Sequence, residues 1–154
     1  MATEEDWASY ARAVVDLAPP GRAPFRLEPD APGRTGTWPE GVAAPLVVVT
    51  AWNPDSVVLR NDDNRARHRR LVDELDRLGL PHWPATGRDP ATPHHEEGVA
   101  VPGLPGELGV ELGARHGQAA VYLWTPDGWT VVSCTDDRRH TSGWRLRTVP
   151  APAT

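Results

Sequence analysis

Apolar residues fall into short runs along the chain, and the period of each run predicts an element. From Thr3 to Leu17 the pattern is helical. Trp7, Tyr10, Val14 and Leu17 recur at helical spacing, Thr3 offers a cap, and Glu4 to Asp6 suit the positive start of a helix that Pro19-Pro20-Gly21 ends. Phe25-Arg26-Leu27 reads as a short strand, and the Pro- and Gly-rich residues 28–45 as a long loop insertion. Leu46-Val47-Val48-Val49-Thr50-Ala51-Trp52 is continuously apolar, the signature of a strand covered on both faces, and Asn53-Pro54 stops it. A helix is predicted from Asn61 to Leu78, with Asp62 and Asp63 in its first turn and Gly79 past its end. Its inward stripe is Leu71, Leu75 and Leu78, which His68 and Asn64 extend towards the helix start.

Beyond Gly79, Pro81 to Thr86 and Glu97 to Val101 are predicted strands. Pro105 opens a helix that ends at Arg115-His116-Gly117, and its small row Gly106, Gly109 and Gly113 suits close packing on a sheet. Ala119 to Thr125 and Trp129 to Cys134 pair as a hairpin across Pro126-Asp127-Gly128, and Gly143 to Val149 alternates as an edge strand. This succession predicts an α/β (α+β) fold. Its form is a single mixed sheet with a ferredoxin-like strand–helix–strand–strand–helix–strand core, an extra N-terminal helix and a C-terminal hairpin. Residues 1–134 are expected as one domain, with 28–45 inserted as a loop, and residues 135–154 as a polar C-terminal extension.

Composition changes this picture in two places. With 154 residues the chain suits one domain, and it has no Lys and no Ile but seven Trp, so the core must be built from Val, Leu and indole rings. Trp7, Trp52, Trp124 and Trp129 sit on predicted elements and read as core, while Trp38 and Trp144 are expected to cover an edge from the loop and the tail. The second change concerns location and partners. No apolar run approaches the roughly 20 residues of a membrane span. The start, Met1-Ala2-Thr3-Glu4-Glu5-Asp6, is acidic where a signal peptide would be basic. The single Cys134 suits a reducing compartment, so a cytoplasmic location is expected. A net charge of −5 weighs against a nucleic-acid partner. Any cofactor and the oligomeric state stay open.

The candidate chemistry gathers at one strand–helix junction. Asn53 lies at the carboxyl end of the apolar strand and Asn64 in the first turn of the next helix, where open α/β sheets form ligand crevices and helix N–H groups favour anions. With Ser56, Arg65, Glu97 and Gln118 they compose an expected site for a small polar or anionic ligand. Two further readings stand beside it. One is a hydrolase or transferase using Glu96 or Glu97 as base and Arg65 as an anion clamp. The other is an interaction module acting through Arg138-Arg139-His140, Arg145 and Arg147. In His94-His95-Glu96-Glu97, alternate residues share a face, with His68, His116 or His140 available as a third ligand, but the spacing matches no zinc signature and no metal site is expected.

Thr50-Ala51-Trp52-Asn53-Pro54, Ser56, Asn64-Arg65, Leu71 and Leu75 together resemble the family called domain of unknown function 3293. Gly87-Arg88-Asp89-Pro90, Glu96-Glu97 and Gly117-Gln118-Ala119 continue the resemblance in order, over roughly residues 5 to 134. Thr92-Pro93-His94-His95 departs from it, since that family places Trp before its acidic residue. The resemblance implies a shared fold and a polar site, and no reaction.

Overall fold

A computed structural model of the chain describes residues 2–149. Eight strands run β1 (Val14–Leu17), β2 (Phe25–Asp30), β3 (Leu46–Thr50), β4 (Trp83–Arg88), β5 (His95–Pro102), β6 (Ala120–Thr125), β7 (Gly128–Ser133) and β8 (Arg139–Thr148). Three helices accompany them: α1 (Glu4–Arg12), α2 (Asn61–Arg77) and α3 (Gly106–Arg115). The strands close into a barrel in the order β1-β2-β8-β7-β6-β3-β5-β4, with β4 returning to β1. Every pairing is antiparallel. The expected α/β (α+β) fold, an open mixed sheet with a ferredoxin-like core, is therefore overturned: the protein is a closed antiparallel β-barrel with its helices packed around it.

The physical reason lies at both ends of the chain. The helical spacing of Val14 and Leu17 conceals a period of two, and in Val14-Val15-Asp16-Leu17 only Val15 and Leu17 are fully buried. α1 stops at Arg12, Ala13 turns to extended backbone, and β1 follows at once, pairing with β2 on one side and β4 on the other. At the other end, Arg139–Thr148 enters the wall between β2 and β7. These strands remove the edges an open sheet would expose.

The barrel sorts its apolar residues into two cores. Inward positions carry Leu17, Leu27, Leu46, Trp83, Trp124, Trp129 and Trp144, and the half-buried Trp38 packs on Trp124 with ring centroids 4.2 Å apart. Trp144 is thus lumen core rather than edge cover. The second core lies outside, where Val47, Val49, Val99 and Val101 meet Leu71 and Leu75 of α2 and Leu112 of α3. β3 contributes to both cores, which is why its sequence is apolar without alternation. α3 comes close because of its small row: a Cβ on Gly109 would stand 2.7 Å from Val47 Cγ2. Among the described residues no helix is long and apolar enough to cross a membrane.

Candidate functional site

The two ends of the lumen differ in side-chain size. Following the inward positions along β4 gives Trp83, Ala85 and Gly87, and along β6 in reverse Trp124, Tyr122 and Ala120. One end is filled by indole rings. The other is left with small residues, and a cavity of about 290 Å³ opens there. Val15, Val48 and Ala85 form its apolar floor, while Ser9, Tyr10, Ser56, His94, Glu96 and Tyr122 supply polar groups. β5 runs close to the β3 backbone at Gly98, where a Cβ would stand 2.5 Å from the Val49 carbonyl oxygen.

α1 borders the mouth and is tied down at three points. Asp89 accepts Arg12 Nε on Oδ1 at 2.8 Å and Arg12 Nη2 on Oδ2 at 2.7 Å. The Ser9 hydroxyl and the Ala91 N–H also donate to it, at 2.8 and 2.9 Å. The Arg12 guanidinium, against the opposing effect of burial, holds the Asp89 carboxyl far below the usual carboxylate range. Deeper in, the Tyr122 hydroxyl donates to the Tyr10 carbonyl at 3.0 Å, and the Tyr10 and Ser56 hydroxyls meet at 3.0 Å. Burial is the largest cause raising both tyrosines, and the Glu96 charge adds to it. Glu96 Oε2 lies 3.0 Å from His94 Nε2, and this hydrogen bond is the leading cause of the raised His94 pKa.

A backbone turn forms the remaining rim. Asn53, Asp55 and Ser56 have φ of 47°, 53° and 61°, a left-handed conformation that non-Gly residues rarely hold without outside support. The support is visible. The Asn53 N–H donates to Asn64 Oδ1 and Asn64 Nδ2 donates to Asn53 Oδ1, both at 2.9 Å. Asn53 Oδ1 also accepts the Leu59 N–H at 3.0 Å, and Asp55 N–H donates to the Gly117 carbonyl at 2.8 Å. Arg67 completes the frame, with Nε donating to the Ala51 carbonyl at 2.8 Å and Nη2 to the His116 carbonyl at 2.7 Å.

Of the residues expected at the site, Asn53, Ser56 and Gln118 line the cavity. Gln118 uses its Nε2 on the Trp52 and His116 carbonyls, at 3.0 and 3.3 Å. Asn64 stands behind Asn53, buried. Arg65 is exposed and paired with Asp62 at 3.1 Å, away from the cavity lining. Glu97 alternates with Glu96 and faces out of the barrel, where its charge acts on His68 of α2. His116 bonds Glu74 at 3.1 Å, and neither it, His68 nor His140 joins the lining. Arg138 pairs with Glu4 over the Trp7 ring, and Arg145 and Arg147 share Glu28.

Tyr10, Tyr122 and the Arg12–Asp89 clamp escape the sequence reading. Alternation alone could have found Tyr122, because it shares a face with Ala120 and Trp124. Arg12 and Asp89 are 77 residues apart, and no periodicity joins them.

In comparison with known proteins, residues 49–121 match the family described as protein of unknown function (DUF3293). No curated protein and no solved structure matches the chain. The matched segment runs from the end of β3 through the supported turn, α2, β4, β5 and α3 into β6, and so includes the Asn53–Asn64 pair, Asp89, Glu96 and Gln118. The resemblance carried by Thr50-Ala51-Trp52-Asn53-Pro54 and the motifs after it is thus borne out over residues 49–121, the segment that matches the DUF3293 family, whose function is unknown.

Proposed function

We propose that the chain is a binding protein whose barrel mouth takes one small polar molecule with an apolar body. The observation that carries this reading is the division of the lumen. An eight-stranded barrel has just enough interior for its own side chains or for one small ligand. Here the indole rings fill one end and stop short of the other, leaving about 290 Å³. That volume stands at the small end of ligand cavities, roughly 300–1,000 Å³. The apolar floor of Val15, Val48 and Ala85 would gain from shedding water onto a ligand's body, and the hydroxyl, imidazole and carboxylate groups at the rim would orient its head.

Thermal unfolding with benzyl alcohol as the probe tests this. Addition of the probe raises the unfolding temperature of the native chain but not that of Ala85→Leu, whose larger side chain occupies the floor. An unchanged unfolding temperature in the native chain, or an equal rise in both proteins, overturns the reading.

A second reading, a hydrolase or transferase, is favoured by one observation, the His94–Glu96 hydrogen bond inside the cavity. Glu96 can hold the imidazole in place or itself accept a proton. Glu97 faces away from the lining. Hydrolysis of small ester substrates that is lost in Glu96→Gln while benzyl alcohol binding persists would establish this reading, and its absence in the native chain would end it.

A further inference from the structure

We infer that the cavity selects a small molecule carrying an ammonium group, held on the free oxygen of Glu96. This rests on the cavity reading above and specifies its ligand. Most charges around the cavity are already committed to partners. Five ionisable acids and bases other than tyrosine line it: Asp6, Arg88, Asp89, His94 and Glu96. Arg88 donates through Nε to Asp16 at 3.1 Å, so the lining's one arginine is held by a carboxylate outside it. Asp89 has four donors, two from Arg12 and one each from Ser9 and Ala91. Asp6 is occupied at the start of α1, accepting the Thr3 N–H at 2.8 Å. Glu96 differs. Its Oε2 meets His94, and among the described residues Oε1 has no hydrogen-bond partner.

The surroundings make that oxygen a receptor for a donor. Glu96 follows Gly98 and Ala100 on the inward face of β5, so it stands above the apolar floor. The neighbouring Tyr122 hydroxyl spends its proton on the Tyr10 carbonyl and does not neutralise it. A carboxylate set beside an apolar wall gains more from a charge-assisted bond than one in bulk water. Tyr10 and Tyr122 also line the cavity, and aromatic rings attract a cation. An anionic head would meet Glu96 with like charge and find no uncommitted arginine.

Three probes of one shape separate the outcomes: benzylammonium, benzyl alcohol and benzoate, titrated calorimetrically at about pH 8, below the range of an aliphatic amine. Benzylammonium binds roughly tenfold more tightly than benzyl alcohol, and benzoate most weakly. Glu96→Gln abolishes the preference, bringing benzylammonium down to the level of benzyl alcohol. His94→Gln, which retains a polar side chain, keeps the preference for the ammonium. Equal binding of all three by the native chain, or a preference for benzoate, overturns the ammonium inference while the cavity reading stands. If none of the three binds, the cavity reading itself fails.

Discussion

Asn64 holds Asn53 by its backbone and its side chain at once: Oδ1 accepts the Asn53 N–H and Nδ2 donates to the Asn53 Oδ1, each at 2.9 Å. Both residues are buried, and the pair, 11 positions apart, closes a ring from the turn after β3 to the first turn of α2. Within that ring lie Asn53, Asp55 and Ser56, the non-Gly residues of positive φ among those described, so the pair helps to balance the strain of the rim.

Replacing Asn64 by Ala removes both bonds and leaves the buried Asn53 N–H unpaired. The expected loss is about 2–3 kcal/mol, because an orphaned buried donor costs its desolvation as well as the bond. Urea denaturation measures it. Asn64→Asp recovers little, since a second carboxylate oxygen would then face the Asn53 Oδ1 in place of a donor. A loss under about 0.5 kcal/mol in Asn64→Ala would show that the turn holds itself.

Asp89 gives the fold a definite response to acid. Its folded carboxyl is held below its unfolded value, so its contribution is complete above the unfolded range near 3.9 and disappears as pH falls towards the folded pKa. Asp16 and Glu74 act in the same direction. Burial raises both, but Arg26 and Arg88 outweigh it at the first, and Arg115 and His116 at the second. Stability therefore falls as pH drops from about 5 to 2. Asp89→Asn should be less stable than the native chain at neutral pH and lose less on acidification. Arg12→Ala lowers the urea midpoint at neutral pH, because it removes two charge-assisted bonds to Asp89. Urea midpoints collected across that pH range decide the matter, and parallel profiles for native and Asp89→Asn would refute it.

How much of this was legible in the residues depends on the distance over which each signal acts. β3, α2, α3 and the β6–β7 hairpin are recognisable from local pattern, because Leu46 to Val49 and the Leu71–Leu75 stripe carry their own period. Closure is not local. Whether β4 ends a sheet or pairs with β1 is settled by contacts such as Ala85 with Leu17, 68 positions apart, and by Val14 to Leu17 abandoning a helical spacing that they also satisfy. The candidate site divides in the same way. Asn53, Ser56 and Gln118 were readable as polar residues at breaks in apolar runs. The cavity itself comes from where Trp gives way to Ala and Gly on strands that only the barrel makes neighbours.

The approach of α3 to β3 predicts a coupled pair. Gly109→Ala places a Cβ 2.7 Å from one methyl of the buried Val47 and 2.9 Å from the other, so the helix or the valine must shift. Overpacking of this kind costs about 1–3 kcal/mol, against a gain of about 1 kcal/mol in helix propensity. A net destabilisation of up to about 2 kcal/mol remains. Val47→Ala made in the Gly109→Ala background should cost less than in the native chain, since it removes the methyls in the way. Additive losses in the double variant would place the strain elsewhere.

Cys134 follows β7 beneath α3, half-buried, and burial pushes its thiol up to about 11. The thiolate is the reacting form, so its fraction at neutral pH falls about a hundredfold below that of an exposed cysteine. Titration with an aromatic disulfide reagent should proceed about a hundredfold more slowly in the folded chain than in urea. Gly113 provides a control that separates access from acidity. A Cβ there would stand 2.9 Å from the Cys134 sulfur, so Gly113→Ala must displace the thiol or the helix turn above it and speed the reaction. Equal rates in folded and unfolded chain would mean that the sulfur is open to solvent and that α3 does not cover this end of β7.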